Sequence, residues 1–463
     1  MKNIKITLED VFALPTAEII NPDNFKPVSH VSTDTRSIKK NSLFVALKGK
    51  NFDGHNFIAN AVKNGASAVV VNKAMVAKLK DINVPVISVK NTTAALGNIA
   101  AIWRKKFEGK VIALTGSNGK TSTKEILSVL LSAKFKVQKT AANNNNHIGV
   151  PLTILSADNK YNVLVLELGT NHFGEIPYTA PIAKPDYAVI TNIGESHLEF
   201  FKNKEGVYNE KAPVYEAALS NNGKIFINTD DKIISKNTKK LTSKITYGFN
   251  NNADVKAVIK GKNDEGCTVI EITAQKTKFE VVLPLYGLNN AANYLSAVAI
   301  ALELGLAKTE IVAATAKLKA VSKRLEVSKF KNLMLVDDTY NANPLSMKGA
   351  INLLTDIKKY ENKIAILGDM FELGEKSAEL HASLAADIKK NKISAVYTIG
   401  KLMKNLDEKL EKTKITHKHF PNRKALGSFI EKLDLENSVV LVKGSRGMKM
   451  EEFVEVIRKR FIK

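Results

Sequence analysis

A single cysteine, Cys267, serves all 463 residues, so an intramolecular disulfide is excluded and a reducing compartment is the simpler expectation. No apolar run approaches the roughly 20 residues needed to cross a bilayer, so membrane insertion is not expected. The opening stretch MKNIKITLEDVF lacks an apolar core and carries early acids, so a secretory leader is not expected and the cytoplasm is the default address. No repeat recurs at a fixed period, and the run Asn143 to Asn146 is the one low-complexity tract. Acids are outnumbered, 46 against 69 Lys and Arg, for a formal charge of +23. Such a balance favours anionic partners. The bases are mostly scattered lysines, and no run interleaves aromatics with arginines as a single-strand binder would, so nucleic acid is not the expected partner.

What is present describes a packed globular chain, 44% hydrophobic and 25% charged, and too long for one core. Strand-like runs alternate with helical patterns almost throughout: GASAVVV, KVIALTG, NVLVLELG, DYAVITNIG, NKIAILGD, AVYTIG and SVVLVKG. Short apolar runs that end in Gly or a polar residue and lead into helices predict α/β domains with parallel sheets buried on both faces. Joints near Val89 and Val321 divide the chain into 1–88, 89–320 and 321–463. Ligands in such sheets sit beyond the carboxyl ends of the strands. Gly116, Glu167, Asn192 and Asp369 fall there.

The segment VIALTGSNGKTSTKEI joins an apolar run to a helical pattern through a Gly-rich turn. Gly116 and Gly119 allow a tight turn that brings N–H groups close to an anion. The helix after it points its positive end at the same place. Lys120 can reach terminal phosphates, and Thr121 offers a hydroxyl to Mg2+. Only Ser117 and Asn118 separate Gly116 from Gly119-Lys120, so the loop is shorter than the common phosphate loop. Glu167 interrupts an apolar run and needs a partner, either a cation in a structural ion pair or a bound metal. His197 and Glu199 follow the next strand, where a histidine is as readily a packing or surface residue. Lys211, inside a helical stretch, is by itself one lysine among many.

TGSNGKTS resembles the short phosphate loop of the Mur ligase family, ATP-dependent amide-forming enzymes of peptidoglycan synthesis. The likeness runs through the chain in order. VSTDTRSIKKNSLFVALKGKNFDGHNFI is similar to the domain that holds a UDP-sugar, and NNNNHIGVPLTIL and ELGTNHFGEI to central substrate loops. DDTYNANPLSM, LGDMFELGEKSAELH and VKGSRGMKME resemble the C-terminal domain of the branch that joins D-alanyl-D-alanine to UDP-N-acetylmuramoyl-tripeptide.

The resemblance implies three α/β domains: a UDP-substrate domain, a central phosphate-loop ATPase-type parallel sheet, and a Rossmann-like C-terminal domain that completes the ATP site. It implies a cytoplasmic, ADP-forming ligase that is a monomer and uses ATP and Mg2+. Lys120, His197 and Lys211 become catalytic residues. Thr121, Glu167, His197 and a carbamylated Lys211 become metal ligands. Gly116, Ser117, Asn118, Gly119, Lys120, Thr121 and Ser122 would hold ATP phosphates. Asn289, in place of the family's usual histidine, would meet adenine together with Asn290 and Asn293. Arg324, Asp338, Tyr340 and Asn341 would reach the nucleotide from the C-terminal domain, with Asn343 beside them. Asp34, Arg36, Lys48, Gly49, Asn145, Thr170 and His172 would contact the UDP-substrate. The chemistry implied is an acyl phosphate that an amine then attacks, with the C-terminal domain closing onto the central one. The rival readings are a sister ligase that adds the third peptide residue or extends folate, a nucleic-acid-binding ATPase, and an inactive scaffold.

Overall fold

Three sheets follow one another along the chain in the computed structural model, which describes residues 4–79, 82–249, 252–263, 266–275 and 277–461. The first has five strands in the order Glu18–Ile20, Val86–Val89, Ala66–Asn72, Ser42–Val45 and His30–Ser32, parallel except for its first pair. The Val-rich run at 66–72 lies centrally in it and is largely buried, as a parallel strand covered on both faces must be.

The second sheet has nine strands. Six of them run parallel in the order Lys244–Gly248, Lys224–Asn228, Tyr187–Ile190, Lys110–Thr115, Val163–Glu167 and Val137–Lys139. All five residues of Val163–Glu167 are buried, and each fully buried aliphatic side chain contributes about 1.5–3 kcal/mol. The expected central sheet was parallel throughout. The structure extends it with Val255–Lys262, Thr268–Ala274 and Thr277–Leu283, and the last two pairings are antiparallel. Burial alternates strictly along Thr268–Ala274, the mark of a sheet with one wet face.

Glu326–Lys329, Leu333–Asp338, Ser438–Lys443, Asn362–Gly368, Ala395–Ile399 and Thr416–Phe420 make up the third sheet, parallel except for its first pair. Helix Thr92–Lys106 starts where Asn91 Oδ1 accepts hydrogen bonds from the amides of Thr93 and Ala94. Its inner face packs with Ile6 and Val11 from the first segment and with Val111 and Val150 from the second, in one continuous core. Among the described residues no helix is long and apolar enough to cross a membrane.

Candidate functional site

Register sets the height of the site. Leu114 pairs with Glu167 and Thr115 with Ile190, so the loop after Thr115, the Glu167 carboxylate and Asn192 lie together at the carboxyl edge of the second sheet. Gly116 and Gly119 have φ of 151° and 80°. A Cβ on Gly116 would lie 1.9 Å from Thr191 Oγ1, and one on Gly119 2.2 Å from Asn293 Oδ1, so neither position accepts another residue without displacement. The loop is fixed from the next strand. Ser117 N donates to Asn192 O at 3.0 Å, and Gly194 N donates to Ser117 Oγ at 2.9 Å.

Lys120 opens the helix Lys120–Leu131 and folds back to donate to Gly116 O at 2.7 Å. Burial lowers its pKa to about 8, with Arg324 adding repulsion and Glu167 opposing both. Thr121 Oγ1 and Asn145 Nδ2 both donate to Glu167 Oε1, at 3.1 and 2.9 Å. Glu167 Oε2 is buried without a hydrogen-bond partner, and Lys124 Nζ stands 3.6 Å away.

His197 has φ of 53° and begins the short helix Leu198–Phe201. Its Nδ1 lies 2.5 Å from Glu372 Oε2 but outside hydrogen-bond geometry. Burial, then Lys120 and Lys211, push His197 down to about 4, so the ring is neutral near pH 7. Lys211 is 1% exposed, and burial followed by Lys120 holds its amine well below the usual lysine range. The neighbouring Glu210, 2% exposed, accepts from Thr170 Oγ1 at 3.1 Å, Gly174 N at 2.8 Å and Ile176 N at 2.9 Å, which fixes the loop 170–176.

The C-terminal sheet faces these groups. Asp338 and Lys443 are directly paired neighbours on adjacent strands, and Lys443 Nζ donates to Asp338 Oδ2 at 2.6 Å and to Asn341 O at 2.9 Å. The Arg324 guanidinium stacks 3.9 Å from the Tyr340 ring centroid, and its Nε is buried without a partner. The two halves enclose a cavity of about 470 Å3.

Of the residues expected from sequence, Ser117, Asn118, Gly119, Lys120, Ser122, Asn145, Glu167, Thr170 and His197 line this cavity from the central segment. Asn289, Asn290 and Asn293 line it from the helix Leu288–Glu303, and Arg324, Asp338, Tyr340, Asn341 and Asn343 from the C-terminal segment. Gly116, Thr121 and Lys211 stand behind the lining. His172 is not on the wall: its side chain is 61% exposed and its ring lies 4.3 Å from Phe200. The four N-terminal residues are also apart from the cavity. Arg36 makes a two-pronged pair with Asp34 and holds that carboxyl down at about 2, while the backbone of Lys48 pairs antiparallel with that of Asp53 and Gly49 N donates to Phe52 O.

Three buried groups escaped the sequence reading. Lys124 shares a helix face with Lys120 and Thr121, a signal available in the spacing. Lys443 ends the apolar run SVVLVK, where a buried cation demands an acid. Glu210 had no local signal, because its three donors lie 34 to 40 residues away.

Family models match three successive segments. These are the Mur ligase family catalytic domain over 27–104, the Mur ligase middle domain over 114–301, and the Mur ligase glutamate ligase domain over 323–446. The chain belongs to the Mur ligase family. It is 34% identical over 98% of both chains to the UDP-N-acetylmuramoyl-tripeptide–D-alanyl-D-alanine ligase of Bacillus subtilis strain 168. Two solved structures are similar over nearly their whole length. A MurF crystal structure from Acinetobacter baumannii has TM-score 0.86 and 29% identity, covering 98% of this chain and 99% of the other. MurF ligase from Thermotoga maritima in complex with ADP has TM-score 0.82 and 30% identity, covering 94% and 98%.

Proposed function

We propose that this chain is an ATP-dependent, ADP-forming ligase that adds D-alanyl-D-alanine to UDP-N-acetylmuramoyl-tripeptide, yielding the pentapeptide precursor of peptidoglycan. The observation that carries the reading is the single cavity joining the phosphate loop to Arg324 and Asp338 across two domains. Full-length similarity to the Bacillus subtilis ligase supports the choice of substrates. Domain limits at 1–88, 89–320 and 321–463 go with it, supported to within a residue by three sheets whose strands span 18–89, 110–283 and 326–443.

The obstacle in the first step is the approach of two anions. An oxygen of the tripeptide's terminal carboxylate attacks the γ-phosphorus, the bond to the β-bridging oxygen breaks, and ADP leaves. Lys120 sits where positive charge offsets that repulsion. The amine of the dipeptide then attacks the acyl carbon, phosphate leaves with the C–O bond electrons, and the amine gives up its proton. Arg324 and Asp338 hold the nucleotide from the C-terminal side, and Asn289, Asn290 and Asn293 flank the base. Loop 170–176, fixed by Glu210, carries the acceptor peptide.

Mg2+ fits the oxygen donors present. Glu167 Oε2, which accepts no hydrogen bond, and the adjacent Thr121 hydroxyl offer one carboxylate and one hydroxyl. Among the described residues no three His, Cys, Asp or Glu side chains converge, which suits a cation held largely by water and phosphate. When bound, it would neutralise phosphate charge. His197 stands neutral beside that site, and burial with the nearby Lys120 lowers the Lys211 pKa, which favours the uncharged amine that carbamate formation requires. A monomeric state is part of the same proposal. So is a cytoplasmic setting, which suits an ATP-consuming enzyme with a single cysteine.

Mass spectrometry of the UDP-linked product tests the reading. UDP-pentapeptide formed from the tripeptide and dipeptide supports it. Growth by a single diamino acid on a UDP-dipeptide, with no pentapeptide, would assign the chain to the sister reaction.

A further inference from the structure

Each polar atom of Asn118, at the cavity wall, has a partner within the protein. Its N–H donates to Asn192 Oδ1 at 3.0 Å, and its carbonyl accepts from Thr191 Oγ1 at 2.6 Å and Asn192 Nδ2 at 3.1 Å. Its side chain crosses to the C-terminal segment. Asn118 Nδ2 donates to Asn343 Oδ1 at 3.2 Å, and Asn343 Nδ2 returns a bond to Asn118 Oδ1 at 2.8 Å. The two residues are 225 positions apart.

Asn343 also caps the helix Pro344–Asp356, with Oδ1 accepting from Ser346 N at 2.9 Å. A cap needs only the acceptor oxygen, so Ser or Asp would serve equally well. Asn adds to the cap oxygen an NH2 donor that reaches Asn118, whereas a Ser hydroxyl sits one atom closer to the backbone and an ionised Asp has no donor. The choice of residue therefore answers to the contact across the domains. Close packing surrounds it: a Cβ on Gly194 would lie 3.1 Å from Leu345, and one on Gly349 2.3 Å from Asn289 Nδ2.

We propose that Asn118 and Asn343 form an amide latch that seats the C-terminal domain, with Arg324 and Asp338, over the phosphate loop. Asn343 is a positioning residue, and Asn118 serves nucleotide binding through this latch. The backbone of Asn118 is clamped by Thr191 and Asn192, so the phosphate loop holds the Asn118 amide in place for its partner. Both amides are neutral and partly exposed, so each bond shifts closure by only about twofold to tenfold. A contact of that strength holds a closed state and still lets it open each turnover. The inference rests on the nucleotide-binding reading of the loop and not on the identity of the amine substrate.

The test uses the full chain with Mg2+ and a non-hydrolysable ATP analogue, read by small-angle scattering and by analogue affinity. Asn343→Ser keeps the cap and removes both latch bonds. We expect nucleotide-driven compaction to be lost and affinity to fall three- to tenfold. Asn343→Asp keeps the cap and one bond, and should fall two- to threefold. Asn118→Asp combined with Asn343→Asp opposes two carboxylates and should fall more than tenfold. Asn118→Ala combined with Asn343→Ser should be no worse than either single change, because both remove one interaction. Wild-type compaction and affinity in Asn343→Ser, or multiplying effects in that double variant, would overturn the latch. Neither readout needs amide synthesis, so a wrong substrate assignment leaves the test intact.

Discussion

Removing Lys443 isolates a buried charge, and its effect can be worked from the structure. The Lys443 side chain is 2% exposed and that of Asp338 12%. Lys443→Met deletes the bonds to Asp338 Oδ2 and Asn341 O while keeping most of the side-chain volume. Breaking one partner of a buried pair costs about 3–5 kcal/mol. Asp338 keeps the amide of Leu325 as a donor to Oδ1 at 3.1 Å and has slight solvent access, so the lower end, about 3 kcal/mol, applies. Asp338→Asn added to Lys443→Met removes the stranded charge and should return about 1–2 kcal/mol of that loss. Global denaturation is a poor readout in a three-domain chain, because its unfolding is not two-state. Hydrogen exchange of peptides covering Leu333–Asp338 and Ser438–Lys443 reads the relevant opening. Protection there should drop by about 100-fold in Lys443→Met and recover by about tenfold in the double variant. Unchanged protection in Lys443→Met, or no recovery on adding Asp338→Asn, would refute the reasoning.

Gly119→Ala places a Cβ 2.2 Å from Asn293 Oδ1 at a φ of 80°, which costs at least about 1–2 kcal/mol. Nucleotide affinity, followed with a fluorescent analogue, should fall at least about tenfold while the helical signal is kept. His197 has a folded pKa of about 4 against an ordinary 6.5, so the unfolded chain binds more protons between those values. The stability it contributes is therefore present above pH 6.5 and lost as pH falls towards 4, by about 3 kcal/mol. Hydrogen-exchange protection of peptides covering Leu198–Phe201 should fall more steeply across that window in the wild type than in His197→Gln; parallel profiles would contradict the assignment. Glu210→Ala strands the amides of Gly174 and Ile176, and should raise KM for the UDP-tripeptide at least about tenfold with KM for ATP unchanged. Steady-state kinetics in both substrates decides it.

The phosphate loop was legible because its chemistry is local. Four residues, Gly116 to Gly119, turn between a strand and a helix that both announce themselves by apolar spacing. Glu167 was legible because a carboxylate in the run VLVLE demands a partner. The antiparallel extension at 255–283 was not, since its strands alternate apolar with polar residues and resemble surface chain. Lys211 shows the same limit for the site. Its burial and its proximity to Lys120 come from packing, and a lysine in a helix gives no sign of either. The Asn118–Asn343 pair joins residues in different domains, and the cap that Asn343 forms is the only part a local pattern displays. His172 and the Asp34–Arg36 pair, expected to meet the UDP-substrate, lie away from the central cavity.

The central claim is that ATP activates the tripeptide carboxylate by phosphoryl transfer before the dipeptide amine attacks. Tripeptide substrate carrying 18O in its terminal carboxylate tests it directly, with Mg2+, ATP and D-alanyl-D-alanine supplied. The account predicts that the phosphate released with each amide bond carries one labelled oxygen. Pentapeptide formed with unlabelled phosphate would contradict it.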